Sequence, residues 1–208
     1  MADGSISDHN RAINLAITND DEEVLDRFVY LTKKLFNLDA RIVRPENRSP
    51  SARLCSTHIG SWLVDVMGIK SKAANKTVPD CILESTKEVQ QGFIRGLTLD
   101  SSTEKKKYPS LYLSSVSKDM MRKVRVMLMN MGIYCREGVA KTYSNNRSPL
   151  YTVMVTYGHL DEFMNTIGVV ETVKRECIMK KLRHYQDKCS KGRMMGVIEA
   201  EDYVFVKV

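Results

Sequence analysis

Two carboxylates, Asp3 and Asp100, stand at corresponding places in a chain that repeats itself, and they are the side chains best placed to do chemistry. Asp100 lies in Leu97-Thr98-Leu99-Asp100-Ser101-Ser102, at the end of a predicted helix that carries Gly92 and Gly96. Asp3, in Met1-Ala2-Asp3-Gly4-Ser5, occupies the matching place one repeat earlier. A carboxylate at a helix C-terminus faces the negative end of the macrodipole, which is mildly unfavourable, and a bound cation reverses that penalty. Two such helices side by side would bring their terminal carboxylates together on a two-fold axis, a setting that suits oxygen-ligated Mg²⁺. Histidine and cysteine offer no rival site. His9, His58, His159 and His184 have no partner at ligand spacing, and no two of the five cysteines stand at metal-finger spacing.

The repeat itself is read from Asn47-Arg48-Ser49-Pro50, which recurs as Asn146-Arg147-Ser148-Pro149. Gly68-Ile69 answers Gly168-Val169, and Ile13-Asn14-Leu15 answers Leu111-Tyr112-Leu113. A constant offset of about a hundred residues indicates duplication of one folding unit. Within the first unit the pattern predicts a strand over Ala12 to Thr18 and a helix capped by Asp20, with Val24, Leu25, Phe28, Leu31 and Leu35 on one face. Two strands, Asp39 to Arg44 and Ser51 to Ser56, follow around a Pro-Glu-Asn-Arg-Ser-Pro turn, and then a helix from His58 to Met67 that Gly68 ends. Trp62 is expected in the core.

The second unit repeats this order. Its strand runs from Ser110 to Ser115, Ser117 caps a helix carrying Met121, Val124, Leu128 and Met131, and strands near Ile133 to Thr142 and Leu150 to Tyr157 precede a helix that Gly168 ends. Between the units, Ser85-Thr86-Lys87-Glu88 has the form of a capping box opening a helix to about Leu99. Its two glycines each cost about 1 kcal/mol against alanine. They are either incidental or the mark of another backbone packed close. After Gly168 comes a basic run through Lys174, Arg175, Lys180, Lys181, Arg183, Lys188, Lys191 and Arg193, read as a solvated helix face or a binding patch. The final segment, from Val197 to Val208, alternates like an edge strand or hairpin.

Composition limits the partners. Lysine and arginine outnumber acids by 32 to 25, giving a net charge of +7, so an acidic polymer is the natural partner class. An odd number of unpaired cysteines, the lack of a signal segment and the lack of an apolar run of membrane length lead to the expectation of a soluble, intracellular protein, cytoplasmic or nuclear.

At this point the residues resemble a family. Ala2-Asp3-Gly4-Ser5-Ile6 resembles the end of a first LAGLIDADG motif, and Gln91-Gly92-Phe93-Ile94-Arg95-Gly96-Leu97 the start of a second. Ser117-Lys118-Asp119-Met120, Met129-Asn130-Met131-Gly132-Ile133 and Lys76-Thr77-Val78-Pro79 are similar to segments of the intein-encoded homing endonucleases of that family, the DOD type. The resemblance covers Ala2 to about Gly168, and Glu201 to Val208 resembles the strand that rejoins a splicing domain. It implies an α+β fold of two pseudo-symmetric αββαββα-like repeats forming a DNA-binding saddle. The units expected are 1–77, 78–170 and a basic helix with C-terminal strand over 171–208. The helix upstream of Ala2 that would pack on Gly92 and Gly96 is outside the sequence, so the first motif reads as truncated, in a fragment of a longer reading frame or a decayed one.

The activity implied is site-specific cleavage of a long, pseudo-symmetric double-stranded DNA site by a monomer acting as a pseudo-dimer, with Mg²⁺. By resemblance, Asp3 and Asp100 are metal ligands and Lys76, three residues before Pro79, is the cation near the scissile phosphate. The second motif departs from the pattern, because a gapless alignment sets Ser101 against Asp3 and Ser102 against Gly4. Either Asp100 serves in place of Ser101, or one centre remains and the protein nicks or only binds. DNA reading falls to the two hairpins, since a β-ribbon fits the major groove, with Arg41, Arg44, Arg48 and Arg53 in one and Arg136, Lys141, Tyr143 and Arg147 in the other. The alternative is a catalytically degenerate nucleic-acid-binding module, maturase-like, a regulator or a decayed intein insert. A purely structural insert is the third reading, and the arginine-bearing hairpins argue against it. Self-splicing by this chain alone is not expected, because it has no junction nucleophile or terminal Asn.

Overall fold

In the computed structural model, which describes residues 4–9, 12–70, 72–103, 109–140 and 148–190, each half of the chain builds a four-stranded antiparallel sheet. The first contains β1 (Gly4–His9), β2 (Ala12–Thr18), β3 (Arg41–Val43) and β4 (Ser51–Cys55) in the order β1-β2-β4-β3. The second contains β5 (Ser102–Thr103), β6 (Leu111–Ser115), β7 (Cys135–Ala140) and β8 (Leu150–Val155) in the equivalent order β5-β6-β8-β7. Leu15 faces Leu54 across one ladder and Leu113 faces Val153 across the other, so the correspondence of Leu15 with Leu113 holds in three dimensions.

The leading strands β1 and β5 were not expected from sequence. Gly-Ser-Ile-Ser-Asp-His has one β-branched residue and reads as a motif end or turn, yet it completes a six-residue ladder with β2. Pairing with a neighbour overrides weak intrinsic preference at such an edge.

One helix covers the inner face of each sheet. Helix α1 (Glu22–Phe36) packs on β2 and β4, and α5 (Lys118–Asn130) on β6, β7 and β8. The α1 cap is Asp21 rather than Asp20: its carboxylate accepts from the Glu23 N–H at 3.0 Å, and Asn19 Oδ1 in turn accepts from the Asp21 N–H at 2.8 Å. Val24 and Leu25 are buried as expected, but Leu35 is 64% exposed. Five-residue β4, on which α1 also packs, spans about 17 Å against about 22 Å for the helix, so α1 extends beyond that strand. Ser117 caps α5 as expected, and Met120, Met121, Val124, Met127 and Leu128 are buried. These join Leu111, Leu113, Val153 and Val155 in the main core. Each such side chain contributes about 1.5–3 kcal/mol by leaving water.

Helix α2 (Thr57–Ser61) continues into a π turn over Trp62–Val66. The wider turn breaks the 3.6-residue face, and Trp62 is 43% exposed instead of lying in the core. Gly60 allows α2 to sit against β2, since a Cβ there would lie 2.2 Å from Ile13 Cγ2. Gly68 and Gly168 adopt φ of +67° and +73° after the closing helices of the two repeats, the left-handed backbone that glycine adopts without strain.

A short α3 (Asp80–Leu83) leads to α4 (Lys87–Leu97). Its N-cap is Thr86, not Ser85, so the expected box does not close. Glu88 instead takes hydrogen bonds from the Thr86 side chain and from its own backbone N–H, which hold its carboxyl below the usual range. Helix α6 (Tyr157–Thr166) is followed by α7 (Thr172–Ser190). Arg175, Lys180 and Arg183 are exposed, as a solvated helix face requires, and Lys191, Arg193 and the segment 197–208 lie outside the described residues. Ile178, Leu182 and Tyr185 form a buried stripe at helical spacing, with the Tyr185 ring 3.9 Å from that of Tyr157. Among the described residues, no helix is long and apolar enough to cross a membrane.

Candidate nucleic-acid interface

Helix α4 runs into a 3₁₀ turn, Thr98–Asp100, and then into β5. Side chains that satisfy the last carbonyls make the turn. Thr98 Oγ1 donates to Arg95 O at 2.7 Å, and Ser101 Oγ donates to Thr98 O at 2.5 Å. Lys174 Nζ, from α7, donates to Thr98 O at 2.9 Å and Leu99 O at 3.2 Å while pairing with Glu171 at 2.8 Å. A cation at the negative end of a helix is favourable. Lys174 is thus fastened to the protein rather than available on a basic surface, while Arg175 donates to Val169 O at 3.0 Å and stays exposed.

This arrangement separates the two candidates at the helix end. Ser101 is buried with its hydroxyl committed to Thr98, whereas Asp100 is exposed. Asp100 lines a cleft of about 340 Å³ together with Lys76, Leu113, Ser114 and Ser115. Lys76 also lines a second cleft of about 170 Å³, with Gly4, Ser5, Ile6 and Lys70. The structure therefore brings Lys76 and Asp100 together, and it sets Lys76 beside the strand that begins one residue after Asp3. Asp3 itself lies outside the described residues. The leading hairpins differ in register: Gly4 pairs with Ile17, but Ser102 pairs with Tyr112, which corresponds to Asn14 and not to Ile17. The gapless correspondence of Ser102 with Gly4 does not hold in the sheets.

On the outer face of the first sheet, Arg41 and Arg53 are directly paired across β3 and β4, both exposed, with Arg53 Nε donating to Ser51 Oγ at 3.0 Å. Ser5, Ser7, Asn14 and Ala16 share that face by alternation. Arg48 is exposed in the turn. Arg44 is turned aside, its guanidinium bidentate on Glu22 of α1 at 2.6 and 3.3 Å. Arg136 on β7 is exposed and lies opposite Met154. Lys141, Tyr143 and Arg147 lie outside the described residues. Two features escaped the sequence reading. Lys70 has only its position just after Gly68-Ile69 to mark it, and the small polar row beside the arginines emerges once β1 is recognised as a strand. A separate depression of about 680 Å³, between Asp20, Asp21, Glu22 and Glu171, is acidic and holds none of these residues.

Magnesium-like ions take one or two carboxylates and fill their remaining positions with water and substrate phosphate oxygens. Asp100 would supply one such carboxylate; the rest of the cleft is Lys76, two serines and apolar side chains, and no cluster of three His, Cys, Asp or Glu side chains forms among the described residues.

No protein-family model matches the chain. Over 173 residues, 81% of its length, it is 27% identical to a stretch of the replication factor C small subunit of Methanocaldococcus jannaschii, a stretch that is only 9% of that protein. Among solved structures, the homing endonuclease I-DmoI in complex with DNA and Mn superposes with a TM-score of 0.56 at 14% identity, covering 79% of this chain and 88% of that one. I-DmoI has also been solved with its DNA in the presence of Mg or Ca. Full-length DUF199/WhiA from Thermatoga maritima superposes at 0.58 and 14% identity, covering 95% of this chain and 58% of that one. The chain thus has the two-repeat LAGLIDADG fold. At these identities the likeness is one of fold.

Proposed function

We propose that this chain is a site-specific endonuclease for double-stranded DNA, hydrolysing phosphodiesters with a divalent metal, in the manner of intein homing. The observation that carries the reading is the shared cleft of Lys76 and Asp100 at the end of α4. The exposed Arg41, Arg53 and Arg136 on the outer sheet faces support a duplex held across both sheets. Arginine there can take guanine or phosphate.

Asp100, and Asp3 in the first repeat, would hold Mg²⁺. When bound, the ion supplies charge stabilisation for the phosphoryl oxygens and a more acidic water. Lys76 Nζ neutralises charge that builds as water adds to phosphorus in line with the departing sugar oxygen. Its partly buried setting favours this role over that of a freely solvated surface lysine. We take 1–77 and 78–170 as the two catalytic units and 171–208 as an appended segment, acting as a monomer inside the cell. A match confined to 9% of a longer relative supports an insertion in a host protein.

A second reading, a module that binds nucleic acid without cutting, is favoured by one observation. Ser101, which motif alignment sets against Asp3, is buried and hydrogen-bonded to the helix end, so the second centre depends on Asp100 alone. The test is a supercoiled plasmid bearing the uninterrupted host-gene junction, with Mg²⁺ or Ca²⁺, for wild type, Asp3→Asn and Asp100→Asn. Linear product lost in both variants supports two working centres. Nicked circles abolished only by Asp3→Asn indicate a single one. Retarded, salt-sensitive DNA with no product under any condition overturns the enzyme reading in favour of the binding module.

A further inference from the structure

Lys123, on α5, keeps 29% of its side chain exposed and has four oxygen neighbours drawn from two parts of the chain. Its Nζ donates to Thr77 Oγ1 at 2.9 Å and to Val78 O at 3.4 Å, and lies 3.6 Å from Asp119 Oδ2 and 3.7 Å from Asp80 Oδ1. Thr77 Oγ1 in turn donates to Asp119 Oδ2 at 2.5 Å, so that hydroxyl accepts from Lys123 and donates to Asp119, one turn apart near the start of α5. One residue earlier, Ser117 Oγ accepts from the Met120 N–H at 3.2 Å and donates to Lys76 O at 2.5 Å. Val78 is fully buried in the main core. The Lys76 and Val78 carbonyls and the Thr77 hydroxyl are therefore tied to the cap and first turns of α5.

We propose that Lys123 is a positioning residue for Lys76, acting through Thr77, Val78 and Asp119. This rests on the reading of Lys76 as the cation at the scissile phosphate. A flexible four-carbon side chain aims a charge only as well as its backbone is held, and this segment between the repeats has no sheet ladder of its own. With two carboxylates within 4 Å, Lys123 presents no net positive charge to DNA. Its effect is on turnover rather than affinity.

The experiment compares wild type, Lys123→Met, Lys123→Arg, Lys76→Met and, as a surface-charge control, Lys180→Met. It reads single-turnover cleavage of the junction plasmid with Mg²⁺, DNA affinity with Ca²⁺, and amide hydrogen exchange of the peptide covering 72–80. Lys123→Met is expected to slow cleavage about 10- to 100-fold, the range set by small misplacement of a reacting group. Its DNA affinity stays within about twofold of Lys180→Met, exchange over 72–80 quickens, and Lys123→Arg recovers most of the rate. Cleavage at the wild-type rate, a loss of affinity matching the loss of rate, or unchanged exchange at 72–80 overturns the positioning role. If Lys76→Met cleaves normally, the assigned role of Lys76 fails first and the positioning role falls with it. An active wild type, an inactive Lys76→Met and an unaffected Lys123→Met refute this inference alone.

Discussion

Replacing Lys174 by methionine removes one ammonium from the junction of α4 and α7 and should unfold the protein well below the wild-type midpoint. The Lys174 side chain is 16% exposed and that of its partner Glu171 19%, so water screens the pair only partly. Three interactions disappear together: the 2.8 Å ion pair and the donations to Thr98 O and Leu99 O. Hydrogen bonds involving a charged donor contribute about 1.5–3 kcal/mol each, and removing one partner of a buried pair costs about 3–5 kcal/mol because the other charge remains. The contributions overlap, and Thr98 O keeps Ser101 Oγ and the Ser101 N–H as donors. Asn19 Nδ2 also still donates to Glu171 at 3.3 Å. A loss of about 3 kcal/mol follows, near the lower end for a buried pair. For a chain of this size that is a fall of about 6–12 °C in Tm.

Urea titration at pH 7, followed by circular dichroism, measures the change directly. The denaturant slope should stay constant, because the surface exposed on unfolding does not alter. Lys180→Met, an exposed change on the same helix, should stay within about 0.5 kcal/mol of wild type. Adding Glu171→Gln to Lys174→Met should recover about 1 kcal/mol or more, since it removes the stranded carboxylate and leaves an acceptor for Asn19. A loss below about 0.5 kcal/mol for Lys174→Met, or a second substitution that only adds to the first, would refute the account of Lys174 as an internal fastening.

Gly60→Ala should destabilise by about 1–3 kcal/mol, since the new Cβ would sit 2.2 Å from Ile13 Cγ2; an unchanged urea midpoint would deny the close approach of α2 to β2. Burial pushes the Cys135 thiol up to about 11, so at pH 8 iodoacetamide should modify Cys55, Cys81 and Cys177 and spare Cys135. With the folded value above the unfolded one, the stability Cys135 contributes is complete below its unfolded pKa and is lost as pH rises through the folded value, so the urea midpoint should decline in strongly alkaline buffer. Arg53→Ala and Arg136→Ala should each lower the slope of log affinity against log salt by about one if they hold phosphate, and leave it unchanged while relaxing sequence preference if they read a base. Arg44→Ala, whose guanidinium already pairs with Glu22 at an exposed site, should alter DNA affinity least of the hairpin arginines and cost about 0–1 kcal/mol of stability.

What the sequence made legible was whatever depends on burial periodicity. Leu15 and Leu113, the methionine stripe of α5 and the terminating Gly68 and Gly168 follow from one-dimensional patterns that any packing must honour. The misses share a different cause. Strand β1 exists through its partner, Trp62 escapes the core through a π turn, and the basic run of α7 conceals a buried stripe in Ile178, Leu182 and Tyr185. Strand pairing and helix packing are set by partners elsewhere in the chain, and the π turn by a local change of hydrogen-bond register that apolar spacing does not encode.

The choice between Asp100 and Ser101 is the sharpest case. A gapless alignment counted from the strand that follows favours Ser101, but which side chain reaches the cleft is set by how the helix end unwinds. That unwinding depends on Lys174, more than seventy residues downstream, and on Thr98, whose hydroxyl also accepts from the Val170 N–H at 3.2 Å. With Thr98 O drawing both Ser101 Oγ and Lys174 Nζ inward, Ser101 turns into the protein and its exposed neighbour Asp100 is left on the cleft wall beside Lys76. Lys174→Met should not merely lower the melting temperature. It should loosen the turn that presents Asp100, so that, on the proposed endonuclease reading, cleavage that depends on Asp100 falls at temperatures where the protein is still folded, while cleavage that depends on Asp3 persists and nicked circles accumulate.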